Sequence, residues 1–160
     1  MKHKTKRFLG VLSAWLLVAL CAAGIFMLSA QSGEQSAQLS GGIMEQFARF
    51  MTALFGEAAH TVFRKFAHFF AYLFLMFFTY HAVWRTRRSL SPLLPFVLCV
   101  LYAVSDEIHQ YFVPERACRL FDVFVDTLGC IVGGLCFYLL IQLILFLKHK
   151  IANRKRGHKP

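Results

Sequence analysis

The residues most able to do chemistry are concentrated in one stretch, SDEIHQYFVPERACRLFDVFVDTLG, at residues 105–129. It contains five of the eight carboxylates of the chain, together with two arginines and one histidine. Carboxylates and histidines can bind a divalent metal ion or transfer protons near neutral pH, and arginines can hold a phosphate through two parallel hydrogen bonds. Because the flanking residues are apolar, the chemistry of this stretch depends on where the surrounding elements place it.

A helical spacing relates this stretch to a second polar group earlier in the chain. Arg64, His68 and Tyr72 recur every four residues, which places them on one face of a helix. Asp122 and Asp126 are also four residues apart, and two carboxylates on one helix face repel each other unless a cation lies between them. Three arginines are the expected cationic partners of Asp126: Arg64, Arg116 and Arg119.

Adjacent polar residues are expected to point in different directions. Lys65 is turned about 100° from Arg64 around a helix axis, and so we expect its side chain to reach toward lipid headgroups. Asp106 and Glu107 are adjacent, and on a helix their carboxylates also point about 100° apart. The two therefore cannot both reach one ion without help from other ligands.

The composition indicates a membrane protein. The chain has 160 residues, of which 58% are hydrophobic and 16% charged, and it includes 18 phenylalanines. Soluble domains have about 45–50% apolar and about 25% charged residues. Four apolar segments approach or exceed the roughly 20 residues that cross a bilayer as a helix, at about 8–30, 63–84, 93–112 and 121–147. We predict an all-α polytopic membrane protein that forms a single domain over residues 1–160.

The distribution of charge predicts the orientation of these helices. Most of the 18 lysines and arginines lie in residues 2–7, 85–88 and 148–160, and none of the eight acidic residues lies there. Cytoplasmic segments carry an excess of basic residues, so both termini are expected in the cytoplasm of a multi-pass cell-membrane protein. The basic tail could contact anionic lipid, and nucleic-acid binding is not expected because no folded domain accompanies the tail.

A short helix is predicted between the first and second spans. Apolar residues within segment 43–55 recur at intervals of three and four, which is the pattern of one helical face. The segment is too short to cross a bilayer. We expect an external amphipathic helix that lies on the membrane surface or packs on the bundle.

This orientation places the polar residues of all four spans at one level, near the outer surface. The expected binding residues are Arg64, Lys65, Tyr72, Gln110, Arg116, Arg119, Asp122, Asp126, Gln31 and Ser32. If the protein is an enzyme, the expected catalytic residues are His68, Asp106, Glu107 and His109. The candidate ligands for a divalent metal are Asp106, Glu107, Asp122 and Asp126.

Three blocks of the sequence resemble the VanZ-like family of bacterial integral membrane proteins. They are SAQSGEQS at 29–36, RKFAHFFAYLFL at 64–75 and SDEIHQYFVPERACRLFDVFVDTLGCIVGG at 105–134. Glu115 departs from the pattern, in which a glycine is expected. The family is named for a protein linked to resistance to the glycopeptide teicoplanin, so the resemblance implies a role in the cell envelope and in glycopeptide resistance. It does not specify a reaction.

Three interpretations of the polar cluster remain open. It could bind an anionic lipid, a lipid-linked cell-wall precursor or a glycopeptide through its arginines. It could instead be the site of a metal- or histidine-dependent hydrolase or transferase that acts on a lipid-linked phosphate. It could also only join the helix ends through ion pairs. A transport pathway is disfavoured because the inner halves of the spans have few polar residues.

The predicted orientation can be tested with a topology reporter. A reporter fused after Pro160 should give a cytoplasmic signal, because the basic segments face the cytoplasm. A periplasmic or extracellular signal from that fusion would reverse the orientation and move the polar cluster to the other side of the membrane.

Overall fold

The structure, a computed structural model, describes residues 2–30, 52, 56, 59–113 and 119–156. These residues form four long helices: α1 (Lys2–Ser29), α2 (Ala59–Arg87), α3 (Leu93–Tyr111) and α4 (Leu120–Arg156). Each is long and apolar enough to cross a membrane, and no strand occurs in the described ranges. The prediction of an all-helical protein with four spans is therefore confirmed. Segment 43–55, where the amphipathic helix is predicted, lies outside the described residues apart from Thr52.

A tight connection between α2 and α3 makes these two helices antiparallel neighbours. Arg88, directly after α2, has a φ of 59° and so turns the chain out of the helix. Pro92 then precedes α3, where the missing N–H of proline costs nothing because the first turn of a helix has no intrahelical acceptor for it. The Tyr80 hydroxyl donates a hydrogen bond to the Leu90 carbonyl and holds this turn against α2.

The outer surface of the bundle is apolar, as expected for helices that face lipid. Phe8 on α1 is 66% exposed and Leu120 on α4 is 88% exposed. Lipid tails are as apolar as these side chains, so their exposure carries no penalty inside a bilayer. Helix α4 has 37 residues and is therefore about 55 Å long. This exceeds a hydrocarbon core of about 30 Å, and α4 extends beyond that core with its basic segment.

The contacts between helices define two ends of the bundle. The C-terminal end of α1 meets the C-terminal end of α3 through Ser29 and Asp106. The middle of α1 meets the C-terminal end of α2, where the Trp15 Nε1–H donates to Thr86 Oγ1 over 3.0 Å. All four acidic residues in the described ranges lie at the first end, here called the acidic end: Asp106, Glu107, Asp122 and Asp126. The opposite end, with the basic segments, is the basic end.

Helices α2 and α4 make the closest contact in the bundle, and two glycines allow it. A side chain at Gly129 would collide with the backbone carbonyl oxygen of Phe69, and one at Gly133 with that of Leu73. The GxxxG spacing of the two glycines therefore brings the backbones of α2 and α4 together. Below the acidic end, the buried core includes Tyr72, Leu75, Met76, Tyr80, Cys99, Ala103, Cys130 and Phe137.

The glycine contact makes a testable prediction about stability. We expect Gly133→Ala to lower the free energy of unfolding by about 1–3 kcal/mol, because the added methyl group overlaps a backbone atom that cannot move freely. Gly24→Ala on α1 is the matched control, since its added methyl group meets no atom within 4 Å. Thermal unfolding in detergent measures both variants. Equal melting temperatures for the two variants would contradict close packing at Gly133.

Candidate functional site

A cleft opens at the acidic end, where α2, α3 and α4 meet. Its lining residues are Arg64, Lys65, His68, Glu107, Gln110, Asp122, Val125 and Asp126. The space between these side chains, including the open mouth, measures about 230 Å³. With the side chains in these positions, the cleft as a whole has room for about one group the size of a water molecule. Seven of its lining residues are polar, and every one of the seven is a site residue predicted from the sequence.

The mouth of the cleft contains a lysine–aspartate pair. The Lys65 ammonium group forms an ion pair with the Asp122 carboxylate, which lies in the first turn of α4. The same ammonium group lies 4.8 Å from the centroid of the Phe121 ring, within range of a cation–π contact. The expectation that Lys65 points away toward lipid headgroups is therefore wrong. Helix α4 begins at Leu120, and its first turn supplies Lys65 with a carboxylate inside the bundle.

A histidine–aspartate pair lies one turn deeper. His68 Nδ1 is 3.7 Å from Asp126 Oδ1, which is within ion-pair range but longer than a hydrogen bond. Asp126 is completely buried, with 0% of its surface exposed. The sequence predicts an arginine as its partner, but neither Arg64 nor Arg119 forms an ion pair with it. His68 lies four residues after Arg64, about one helical turn deeper, and it is the α2 side chain at the depth of Asp126.

Asp106 points toward α1 and away from the cleft. Its Oδ2 accepts a hydrogen bond of 2.8 Å from the Ser29 hydroxyl and one of 3.2 Å from Gln110 Nε2. Gln110 Nε2 also lies 3.3 Å from Ser29 Oγ, which completes a buried triangle between α1 and α3. These hydrogen bonds reduce the penalty of burying Oδ2 in the bundle. Asp106 therefore helps to hold α1 against α3.

Glu107 points in the other direction, into the cleft. Its Oε2 accepts a hydrogen bond of 3.0 Å from the backbone N–H of Arg119, just before α4 begins. This bond ties the end of α3 to the start of α4. The divergence of Asp106 and Glu107 agrees with their predicted offset around the helix axis. Arg119 is thus positioned through its backbone, and its side chain is exposed.

Several buried oxygen atoms at the acidic end have no hydrogen-bond partner. They are Glu107 Oε1, both carboxylate oxygens of Asp126, Asp106 Oδ1 and the Tyr72 hydroxyl oxygen. Tyr72 is fully buried below the cleft and interacts electrostatically with Asp106 and Asp126. An unsatisfied buried polar group costs free energy, more so when it is charged. Such groups are retained where they have a functional role, and they mark this end of the bundle as a candidate site.

Of the remaining predicted residues, His109 is the one that the structure describes. The His109 ring stacks on Phe26 of α1 with centroids 4.3 Å apart and does not line the cleft. Gln31, Ser32 and Arg116 lie outside the described residues. Within the described ranges, no three His, Cys, Asp or Glu side chains are placed to share one metal ion.

Two residues with a structural role at the site are absent from the predicted set. Ser29 anchors Asp106, and Val125 forms the apolar part of the cleft wall. The position of Ser29 at the end of an apolar segment was a usable signal, because a polar side chain at that depth requires a partner. Val125 lies three residues after Asp122 and so shares its helix face.

The contact between Ser29 and Asp106 predicts how α1 is attached to the bundle. We expect Ser29→Ala to destabilise the protein by about 1–3 kcal/mol, since it removes a hydrogen bond from a buried carboxylate. Ser13→Ala is the matched control on the same helix, because the exposed Ser13 hydroxyl donates only to the carbonyl of Gly10 within α1. Thermal unfolding in detergent should separate the two variants. A Ser29→Ala protein as stable as Ser13→Ala would show that this contact does not hold α1.

Comparison with known proteins and protein families identifies the family of the chain. No curated protein and no solved structure matches it significantly. The model of the family described as VanZ/LLP1 matches residues 14–142, a range that contains all four helices in large part and every residue that lines the cleft. The chain therefore belongs to the VanZ-like family of membrane proteins.

Proposed function

We propose that this protein binds the phosphate-bearing headgroup of an anionic lipid or of a lipid-linked cell-wall precursor at the outer face of the membrane. The observation that carries the proposal is the placement of Arg64. Its guanidinium lines the cleft and forms no ion pair with any described carboxylate, whereas Lys65 beside it is paired with Asp122. An arginine in this position can bind two oxygens of one phosphate group through two parallel hydrogen bonds.

The charge of the two bundle ends supports the outward direction of the cleft. The basic end contains Arg85, Arg87 and Lys148, and the acidic end contains every described carboxylate. Because cytoplasmic segments carry an excess of basic residues, this distribution supports an orientation with the basic end and both termini in the cytoplasm. The cleft then opens toward the cell wall, in the membrane leaflet where lipid-linked wall precursors are used.

The surroundings of the cleft suit a ligand that is itself part of the membrane. Three phenylalanines are more than half exposed and each is adjacent in sequence to a residue that lines the cleft: Phe66, Phe121 and Phe124. These side chains would contact the hydrocarbon chains of a lipid whose headgroup occupies the cleft. A lipid could therefore enter sideways from the bilayer.

The family supports a role of this binding in the cell envelope. The VanZ-like family takes its name from a protein linked to teicoplanin resistance, and glycopeptides act on wall precursors outside the membrane. A protein that holds such a lipid or precursor at the outer surface could reduce access of the antibiotic to its target. Glycopeptide resistance, and a glycopeptide as a direct ligand, are therefore part of the proposal.

A second function is favoured by the pair of His68 and Asp126. A carboxylate beside Nδ1 orients a histidine so that its Nε2 can exchange a proton with a bound substrate. With Arg64 and Lys65 stabilising negative charge, this arrangement would suit a hydrolase or transferase acting on a lipid-linked phosphate. A divalent metal held by carboxylates of the acidic end would assist such a reaction. Phosphate release by the wild type but not by His68→Gln would select this function.

The binding function is tested by an arginine substitution at each end of α2. We expect Arg64→Gln to weaken binding of phosphatidylglycerol by about tenfold or more, because a charge-assisted hydrogen bond to phosphate is lost. Arg87→Gln, at the exposed basic end, is the matched control and should bind as the wild type does. Titration of the detergent-purified protein, read by native mass spectrometry, measures both affinities. Equal affinities for both variants would exclude Arg64 as the phosphate-binding residue.

A further inference from the structure

The balance of charge in the cleft does not match a ligand that is only anionic. Two fixed cations, Arg64 and Lys65, line it together with three carboxylates, Glu107, Asp122 and Asp126. Lys65 and Asp122 neutralise each other, which leaves Arg64 facing two carboxylates within the described part of the cleft. A phosphate bound by Arg64 would leave Glu107 and Asp126 facing no lysine or arginine in the described part of the cleft, with only the Arg119 backbone N–H and His68 beside them.

The inner wall of the cleft offers acceptor atoms that need donors. Glu107 Oε1 and the two carboxylate oxygens of Asp126 have no hydrogen-bond partner, and these side chains are 1% and 0% exposed. A primary ammonium group provides three N–H donors and one positive charge.

We propose that the headgroup taken by this cleft is zwitterionic, with its phosphate on Arg64 and its primary ammonium between Glu107 and Asp126. This inference rests on the phosphate-binding part of the proposed function and changes the lipid class from anionic to zwitterionic. The best match is an aminoethyl phosphate headgroup, as in phosphatidylethanolamine. The ammonium would supply the donors that the inner oxygens lack, and the net charge brought into the cleft would be zero.

The dimensions of the cleft agree with this headgroup. Arg64 lies four residues before His68, which is the α2 residue beside Asp126, so the two levels are about 6 Å apart along the helix. The O–C–C–N chain of an aminoethyl phosphate spans a similar length between its charged groups. The cleft as a whole has room for about one group the size of a water molecule. This space suits an ammonium, with the phosphate then at the open mouth, but not the larger trimethylammonium of a choline headgroup.

The experiment compares three lipids with identical acyl chains on the detergent-purified, full-length protein. Phosphatidylethanolamine has the ammonium, phosphatidylglycerol has only the phosphate charge, and phosphatidylcholine has the bulky quaternary group. By native mass spectrometry we expect phosphatidylethanolamine to bind at least about tenfold more tightly than either of the others, since only it satisfies the inner carboxylates.

Two variants assign that preference to the inner carboxylates. Glu107→Gln and Asp126→Asn keep the shape of each side chain but remove its charge, and each should abolish the preference while phosphatidylglycerol still binds. Retained binding of phosphatidylglycerol also shows that the variant is folded. Ser105→Ala, at an exposed position beside Asp106, is the control and should keep the preference.

The outcomes separate this inference from the proposed function. If phosphatidylglycerol binds as tightly as phosphatidylethanolamine and its binding depends on Arg64, the zwitterionic headgroup is excluded and the anion-binding function stands. If both carboxylate variants lose all three lipids, the carboxylates support the fold and do not select an ammonium, which also overturns the inference. If no lipid responds to Arg64→Gln, the proposed function fails as well.

Discussion

Four carboxylates lie at one end of a bundle whose surface is otherwise lipid-facing, and the cost of placing them there governs the structure. Lipid tails cannot solvate a charge, so each acidic side chain must find its partner within the protein. Asp106 is bonded to Ser29 of α1, Glu107 to the backbone of Arg119, Asp122 to Lys65 of α2 and Asp126 lies beside His68. Each contact involves two different helices or a helix and its connection, so the same interactions that satisfy the charges also fix the helix ends.

Two glycines in the contact between α2 and α4 determine how closely the polar side chains of these helices approach each other. Gly129 and Gly133 allow α4 to approach the backbone of α2, and Asp126 lies just before them on α4. This close approach places His68 and Asp126 at the same depth and leaves a narrow cleft above them. The site therefore depends on two features: small residues set the distance between the helices, and polar residues line the space that remains. Not all polar atoms are satisfied, and the oxygens of Glu107 and Asp126 without hydrogen-bond partners belong to residues that line the cleft.

The sequence predicts the fold well because each segment that crosses the bilayer as a helix needs about 20 mostly apolar residues. Length and hydropathy identify all four spans, and helical periodicity places Arg64 above His68 and Asp122 above Asp126. The partners across helices are harder to predict, because they depend on how each helix is rotated. For this reason the expectation that Lys65 reaches the headgroups is wrong, and neither of the described arginines Arg64 and Arg119 pairs with Asp126. Helical spacing predicts that the side chains of Asp106 and Glu107 diverge. It could not show that Glu107 lines the cleft or that Asp106 holds α1 against α3.

The central claim is that the acidic end is a binding cleft and not only a set of ion pairs that joins helix ends. It is tested most directly by a crystal structure of the protein purified with its native lipids and never exposed to added lipid. We expect density for a phosphate-bearing headgroup in contact with the Arg64 guanidinium, between α2 and the carboxylates of Glu107 and Asp126. A structure in which Arg64 is bonded directly to Glu107 or Asp126, with the cleft closed around them, would contradict the claim and leave the charges with a structural role alone.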